Sequence, residues 1–292
     1  GRRHLAAARY RFLAGDTHGA RALLEDALAH LPRGELRAEA LAALGRLHLF
    51  TDDLAAAADL LSTAARERGA PDALRAEAEE GLAWALVLAP GGVPSAIRHA
   101  GRAAMLAERA GDRRLVLEAL AMRGLAECLR ARRSGRELVE RCAREAAALG
   151  YPRVLRSPEW ALAIVDAWGE RLAAARGGLE RLRDAARMRG DESSLPRILL
   201  ALSFVRMHRG DWGAAGELAA EAEEIAAQEG QRAQIGLLMF SKAVLDAHRG
   251  DQRAVLEAWR PRSAGSTRSW GSVPGPTWSA TSWWARRVAV EP

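Results

Sequence analysis

Two interleaved series of helix-breaking stretches punctuate the sequence, and their spacing restricts the fold more than any other feature. One series reads AGDTHG (14–19), FTDDLA (50–55), APGGVPS (89–95), ARRSGRE (131–137), WGERLA (168–173), HRGDWG (208–213) and HRGDQR (248–253). The other falls midway, at LPRGE (31–35), RGAPDA (68–73), AGDRR (110–114), GYPR (150–153), RGDESSLP (189–196) and QEGQR (228–232). Each series recurs about every 40 residues, a period typical of helical-repeat arrays. Helical stretches of roughly 12 to 18 residues fill the intervals, so one period holds one antiparallel helix pair. The pattern predicts an all-α fold, an α-solenoid of antiparallel helix pairs with about seven repeats over residues 1–259.

The segments between breaks carry the one-sided apolar pattern that stacking requires. In RALLEDALAHL, Leu23, Leu24, Ala27, Leu28 and Leu31 share one helix face, with Arg21, Glu25 and Asp26 elsewhere. Small residues such as Ala214, Ala215 and Ala219 let neighbouring helices approach closely. Trp84, Trp160, Trp168 and Trp212 are expected as wedges between helix pairs. Aromatic residues are only 5% of the chain while 49% is hydrophobic, which suits Ala- and Leu-rich helices and gives no run of alternating β-branched residues.

The HRGD repeated at 208–211 and 248–251 invites a reading as an adhesion or metal site. Its repetition at the repeat period explains it instead: glycine ends one helix in the left-handed region, and aspartate caps the next. Neither the seven histidines (His4, His18, His30, His48, His99, His208 and His248) nor Cys128 and Cys142 form a metal or nucleophile signature. The two cysteines are expected as buried free thiols. The acidic runs EAEE at 77–80 and 221–224 read as solvated helix faces rather than catalytic carboxylate pairs. Catalytic, cofactor and metal sites are therefore predicted to be none, and no residue is singled out as ligand-binding.

The formal net charge is +6, yet only Lys242 among the 43 basic residues is lysine, which points to GC-rich coding rather than to phosphate contacts. Much of the excess sits in residues 260–292, which also hold Trp270, Trp278, Trp283 and Trp284 in a Ser-, Pro- and Gly-rich setting. That tail is expected to be irregular or disordered, and its abrupt change of composition is read as a frameshift near residue 260. Written in GC-rich codons, WSATSWWA becomes the helix-like VRDELVG in another frame. No apolar run is long enough to cross a membrane and the basic start turns polar too soon for a signal peptide, so a cytoplasmic location is expected. The sequence begins without Met and already in helix phase, as a piece of a longer protein would.

The stretches LAWALV (82–87), AERAGD (107–112), GDESSLP (190–196) and RGDWGAAGELAAEAEEIAAQEGQ (209–231) resemble the tetratricopeptide-like arm of large ATP-binding LuxR-type transcriptional regulators of actinobacteria. The resemblance covers most of residues 1–259. It implies a tetratricopeptide-like superhelix acting as a non-catalytic sensor or scaffold that binds an inducer or protein partner on its concave face. It also implies an ATPase module before the arm and a helix-turn-helix after it. Neither module is in this segment: there is no G-x-x-x-x-G-K-[ST] loop, Lys242 lies in FSKAVLDAH without a glycine cradle, and no basic recognition helix appears. No cofactor, nucleic-acid contact or membrane contact is expected from the segment itself. The alternative is a stand-alone tetratricopeptide-type adaptor for protein partners.

Overall fold

The computed structural model describes residues 1–13, 16–51, 54–151 and 154–228, together with 246, 247 and 250. Among them it shows twelve α-helices and no strand: α1 (Arg2–Leu13), α2 (Thr17–His30), α3 (Glu35–Thr51), α4 (Leu54–Arg66), α5 (Asp72–Leu88), α6 (Val93–Ala110), α7 (Arg113–Cys128), α8 (Arg133–Ala146), α9 (Pro158–Trp168), α10 (Leu172–Arg189), α11 (Leu195–His208) and α12 (Trp212–Gln228). One 3₁₀ turn, Val154–Arg156, precedes α9 and another, Glu192–Ser194, precedes α11. The helices form six consecutive pairs, a tetratricopeptide-like helical-repeat fold. The seventh repeat, Lys242 and the tail from residue 260 lie outside the described residues.

The breaks share one backbone device. At Gly111, Gly190 and Gly210 the chain turns through φ values of +72°, +66° and +78°. The residue after each glycine then donates its N–H back into the finished helix: Asp112 to Ala107 O at 3.0 Å, Asp191 to Ala186 O at 2.9 Å and Asp211 to Arg206 O at 3.0 Å. The Asp112 carboxylate accepts the Leu115 N–H at 3.0 Å, and Asp211 accepts that of Ala214 at 3.4 Å. HRGD at 208–211 is thus a turn between helices. Of the second HRGD only Gly250 is described, and it too has a positive φ of +78°. Ala131 (φ 57°) and Glu170 (φ 60°) fill the same position without glycine, and the residues after them close the same bond to Glu127 O and Asp166 O.

One predicted break is narrowed. In ARRSGRE the turn falls at Ala131 and Arg132, and Gly135 lies inside α8. Its role is contact: a Cβ on Gly135 would sit 2.5 Å from Gly124 O, and one on Gly124 would sit 2.6 Å from Gly135 O. The backbones of α7 and α8 cross here with no room for a side chain.

Odd- and even-numbered helices differ in surroundings. α3 packs on α1 and α5, α5 on α3 and α7, and α7 on α5 and α9, whereas even-numbered helices pack mainly on their sequence neighbours. The odd series therefore lines the inside of the curve and the even series its outside. α7 is buried almost all round, from Leu115 to Ala119 and again from Gly124 to Glu127, while α2 buries only Gly19, Ala20, Leu24 and Ala27. An apolar cluster runs from Ala83 and Val87 of α5 through Leu117 and Leu125 of α7 to Ala161 and Val165 of α9.

Candidate functional site

The inner side of α5 gathers most of the chemistry. Glu77, Glu80 and Trp84 recur at helical spacing on this face, and each meets a side chain from another repeat. Glu77 pairs with Arg46 of α3. Glu80 lies 3.4 Å from Arg156, which also approaches Glu118 of α7 to 2.5 Å. Over the Trp84 ring stands the Arg197 guanidinium of α11, 5.4 Å from the centroid, within range of a cation–π contact. Trp84 also packs against three apolar clusters, so it joins repeats that are far apart in sequence.

The placement of Arg156 has a local cause. Its 3₁₀ turn is held by Asp191, whose Oδ2 accepts the Val154 N–H at 3.1 Å and the Ser194 hydroxyl at 2.7 Å. Arg189 donates to Tyr151 O at 3.0 Å, and Ser157 donates to Val154 O at 2.8 Å while capping α9 at the Trp160 N–H. The connection from α8 to α9 is thereby fastened to the turn after α10, with Arg156 turned towards α5 and α7.

Burial and charge compete in this cluster. The Glu118 side chain is 5% exposed and that of Glu80 13%. Burial pushes the Glu118 carboxyl up to about 7, with Glu80 adding to the rise and Arg156 and Arg114 opposing it. Glu118 Oε2, although close to Arg156, has no well-aligned hydrogen bond. Burial alone would lower the Arg156 pKa, but Glu80, Glu118 and Glu77 more than offset it and hold the guanidinium charged. The buried Tyr151 phenol has no partner, and its pKa is raised by burial and then by Glu118.

The expectation that EAEE at 77–80 is a solvated face is overturned for Glu79 and Glu80. Glu79 is 4% exposed and takes His99 at 2.6 Å and Arg102 at 3.3 Å from α6, while Glu80 faces Arg156 on the other side. α5 is sandwiched between repeats, so Glu79 and Glu80 are largely withdrawn from water, while Glu77 stays 38% exposed on the inner flank. The same letters at 221–224 lie on an outer helix, and there Glu224 is exposed. Trp160 is 4% exposed and wedged in the core, as expected, while Trp84, Trp168 and Trp212 are half-buried against it. Cys142 is buried, and burial raises its thiol to about 11; Cys128 is only half-buried, which corrects the expectation for that residue. Among the described residues no three His, Cys, Asp or Glu side chains stand together as a metal site would need. No described helix is long and apolar enough to cross a membrane.

Solved structures of Rap proteins share this architecture. A Rap protein complexed with competence and sporulation factor is 14% identical, with 87% of this chain and 75% of that one covered at a TM-score of 0.56. The apo form of RapI is 12% identical over 88% of this chain and 94% of its own, with a TM-score of 0.59. The Rap conjugation regulator of plasmid pLS20, in complex with a Phr peptide, is 16% identical over 89% of this chain and 76% of its own, with a TM-score of 0.54. At these identities the likeness is one of fold. No family model matches the sequence. No curated protein matches it either.

Proposed function

We propose that this chain is a non-catalytic interaction arm that binds a peptide or small inducer on its inner face, the sensor and scaffold segment of an ATP-binding LuxR-type transcriptional regulator. The observation that carries the binding role is the inner stripe of α5, where two carboxylates and an indole meet charged side chains from α3, α11 and the turn before α9. A ligand seated there touches several repeats at once and biases how they sit relative to one another. Two of the Rap structures of the same fold hold, by their descriptions, a competence and sporulation factor and a Phr peptide, which supports a peptide as the occupant. The regulator assignment rests on the four quoted stretches between residues 82 and 231.

Sequencing about a kilobase of DNA on either side of the coding segment tests the regulator, since that span covers a domain in each direction. A phosphate-loop ATPase upstream and a helix-turn-helix downstream are expected; finding neither would make the chain a stand-alone adaptor. Selection from a displayed peptide library tests the inner face: binders are expected to lose at least tenfold in affinity on Trp84→Ala, and unchanged binding would place their site elsewhere.

A further inference from the structure

We infer that Glu118, Arg156 and Glu80 form a proton-controlled clasp that sets how tightly the superhelix winds between α5 and α9. The geometry brings one buried carboxylate, Glu118, and one largely buried, Glu80, from two inner helices onto one guanidinium from a third element. With both carboxyls ionised the desolvated cluster carries surplus negative charge; with one protonated it is balanced.

The charged groups around Glu118 leave it as the member that takes the proton. From α5 it faces Glu80, with Glu77 beyond, the latter already paired with Arg46. From its own helix comes Arg114, which also donates to Gly150 O at 3.4 Å. The connection before α9 supplies Arg156 and the neutral Tyr151 phenol. The remaining neighbours are satisfied elsewhere: His99 and Arg102 of α6 by Glu79, Glu145 of α8 by Arg113, and Asp166 of α9 by Arg136 and Arg171. Glu159 of α9 is exposed.

Below the titration of the clasp the protonated Glu118 lets Glu80 and Arg156 pair one to one, and α5, α7 and the turn close together. Above it, the second buried carboxylate draws in water and the inner faces of α5 and α7 part. The sign follows from linkage. Folded Glu118 holds its proton to about pH 7 whereas the unfolded group releases it near 4.5. Stability is therefore present at the acid side of that window and is lost as pH rises through it, by up to about tenfold in the folding constant per pH unit. Above pH 7 this contribution stays flat.

Carboxyl carbon NMR of the whole chain, with X-ray scattering between pH 5.5 and 8.5, tests the clasp directly. One glutamate is expected to titrate near pH 7, its signal absent in Glu118→Gln, and the radius of gyration is expected to rise across the same midpoint in the wild type only. In Glu80→Gln, which leaves Glu118 in place, the midpoint is expected to move down because a like charge has gone. All glutamates titrating below about 5, a radius that does not change through the titration, or a midpoint unmoved in Glu80→Gln would each overturn the proposal.

Discussion

The first repeat and the stretch from α5 to α11 are built from the same helix pairs but are tied together differently. In α1 and α2 the ion pairs are about half-exposed and local: Arg21 with Glu25 at 2.7 Å and Arg11 with Asp16 at 3.6 Å. From α5 onward, arginines cross the inside of the curve: Arg156 reaches Glu118 of α7 and Glu80 of α5, and Arg197 of α11 reaches the Trp84 indole three pairs away. The apolar core follows suit, with a compact cluster limited to α1–α3 at one end and a continuous one through α5–α9 in the middle. The first region behaves as a nearest-neighbour stack whose contributions add. In the second a substitution is felt several helices away.

Arg156→Ala breaks the second region at its centre and has the largest expected effect. It strands Glu80 and Glu118 in a buried place, at a cost of about 3–5 kcal/mol in chemical denaturation at pH 8. The loss is smaller at pH 6, because Glu118, raised to about 7, then takes up a proton rather than standing as an unpaired charge. Equal losses at both pH values would show that the guanidinium acts only through packing. Asp191→Ala comes next: it deprives the buried Val154 N–H and Ser194 hydroxyl of their acceptor, a cost of about 2–3 kcal/mol. Hydrogen exchange at Val154 is the discriminating readout, since protection lost there before global unfolding would show the turn detaching from the repeat beyond.

How much of this could be read from the letters varies along the chain. The turns could be, because a residue forced into the left-handed region and a carboxylate at a helix start are local necessities, visible in GD at 111–112, 190–191 and 210–211. Period pointed to the turns at Ala131 and Glu170, where the left-handed residue itself is not glycine. Gly135, inside the predicted break, serves a close helix crossing rather than the turn, and only the neighbouring helix shows which. The inner cluster was hidden for a related reason. EAEE at 77–80 and at 221–224 is one string in two environments, set by whether the helix is sandwiched between repeats or lies on the outside. Arg156 gave no signal, because its partners lie 38 and 76 residues away and what points it at them is the fastening of its turn to Asp191.

Two substitutions at equivalent turns separate backbone strain from everything else. Gly210→Val has nothing within 4 Å to collide with, so its cost of about 1–2 kcal/mol comes from the left-handed backbone itself. An unchanged melting temperature would contradict the turn geometry. Ala131→Gly runs the same test backwards in the α7–α8 turn. Relief at φ 57° exceeds the entropy that glycine adds to the unfolded chain, so the protein gains up to about 1 kcal/mol. Both effects are local and should be the same in either region.

The smallest expected effect sharpens the contrast most. Arg21→Ala removes an ion pair of good length, 2.7 Å to Glu25 one helical turn away, from side chains 48% and 50% exposed. Water solvates both charges whether or not they meet, and ordering two long side chains opposes the attraction, so the loss is under about 0.5 kcal/mol and shrinks further in added salt. Arg156 touches Glu118 at nearly the same distance, yet its removal is expected to cost several times more. Length is thus not what separates the two arginines. The difference is whether the carboxylate left behind faces solvent or the inside of the curve, and comparable losses for Arg21→Ala and Arg156→Ala at pH 8 would erase the distinction between the two regions.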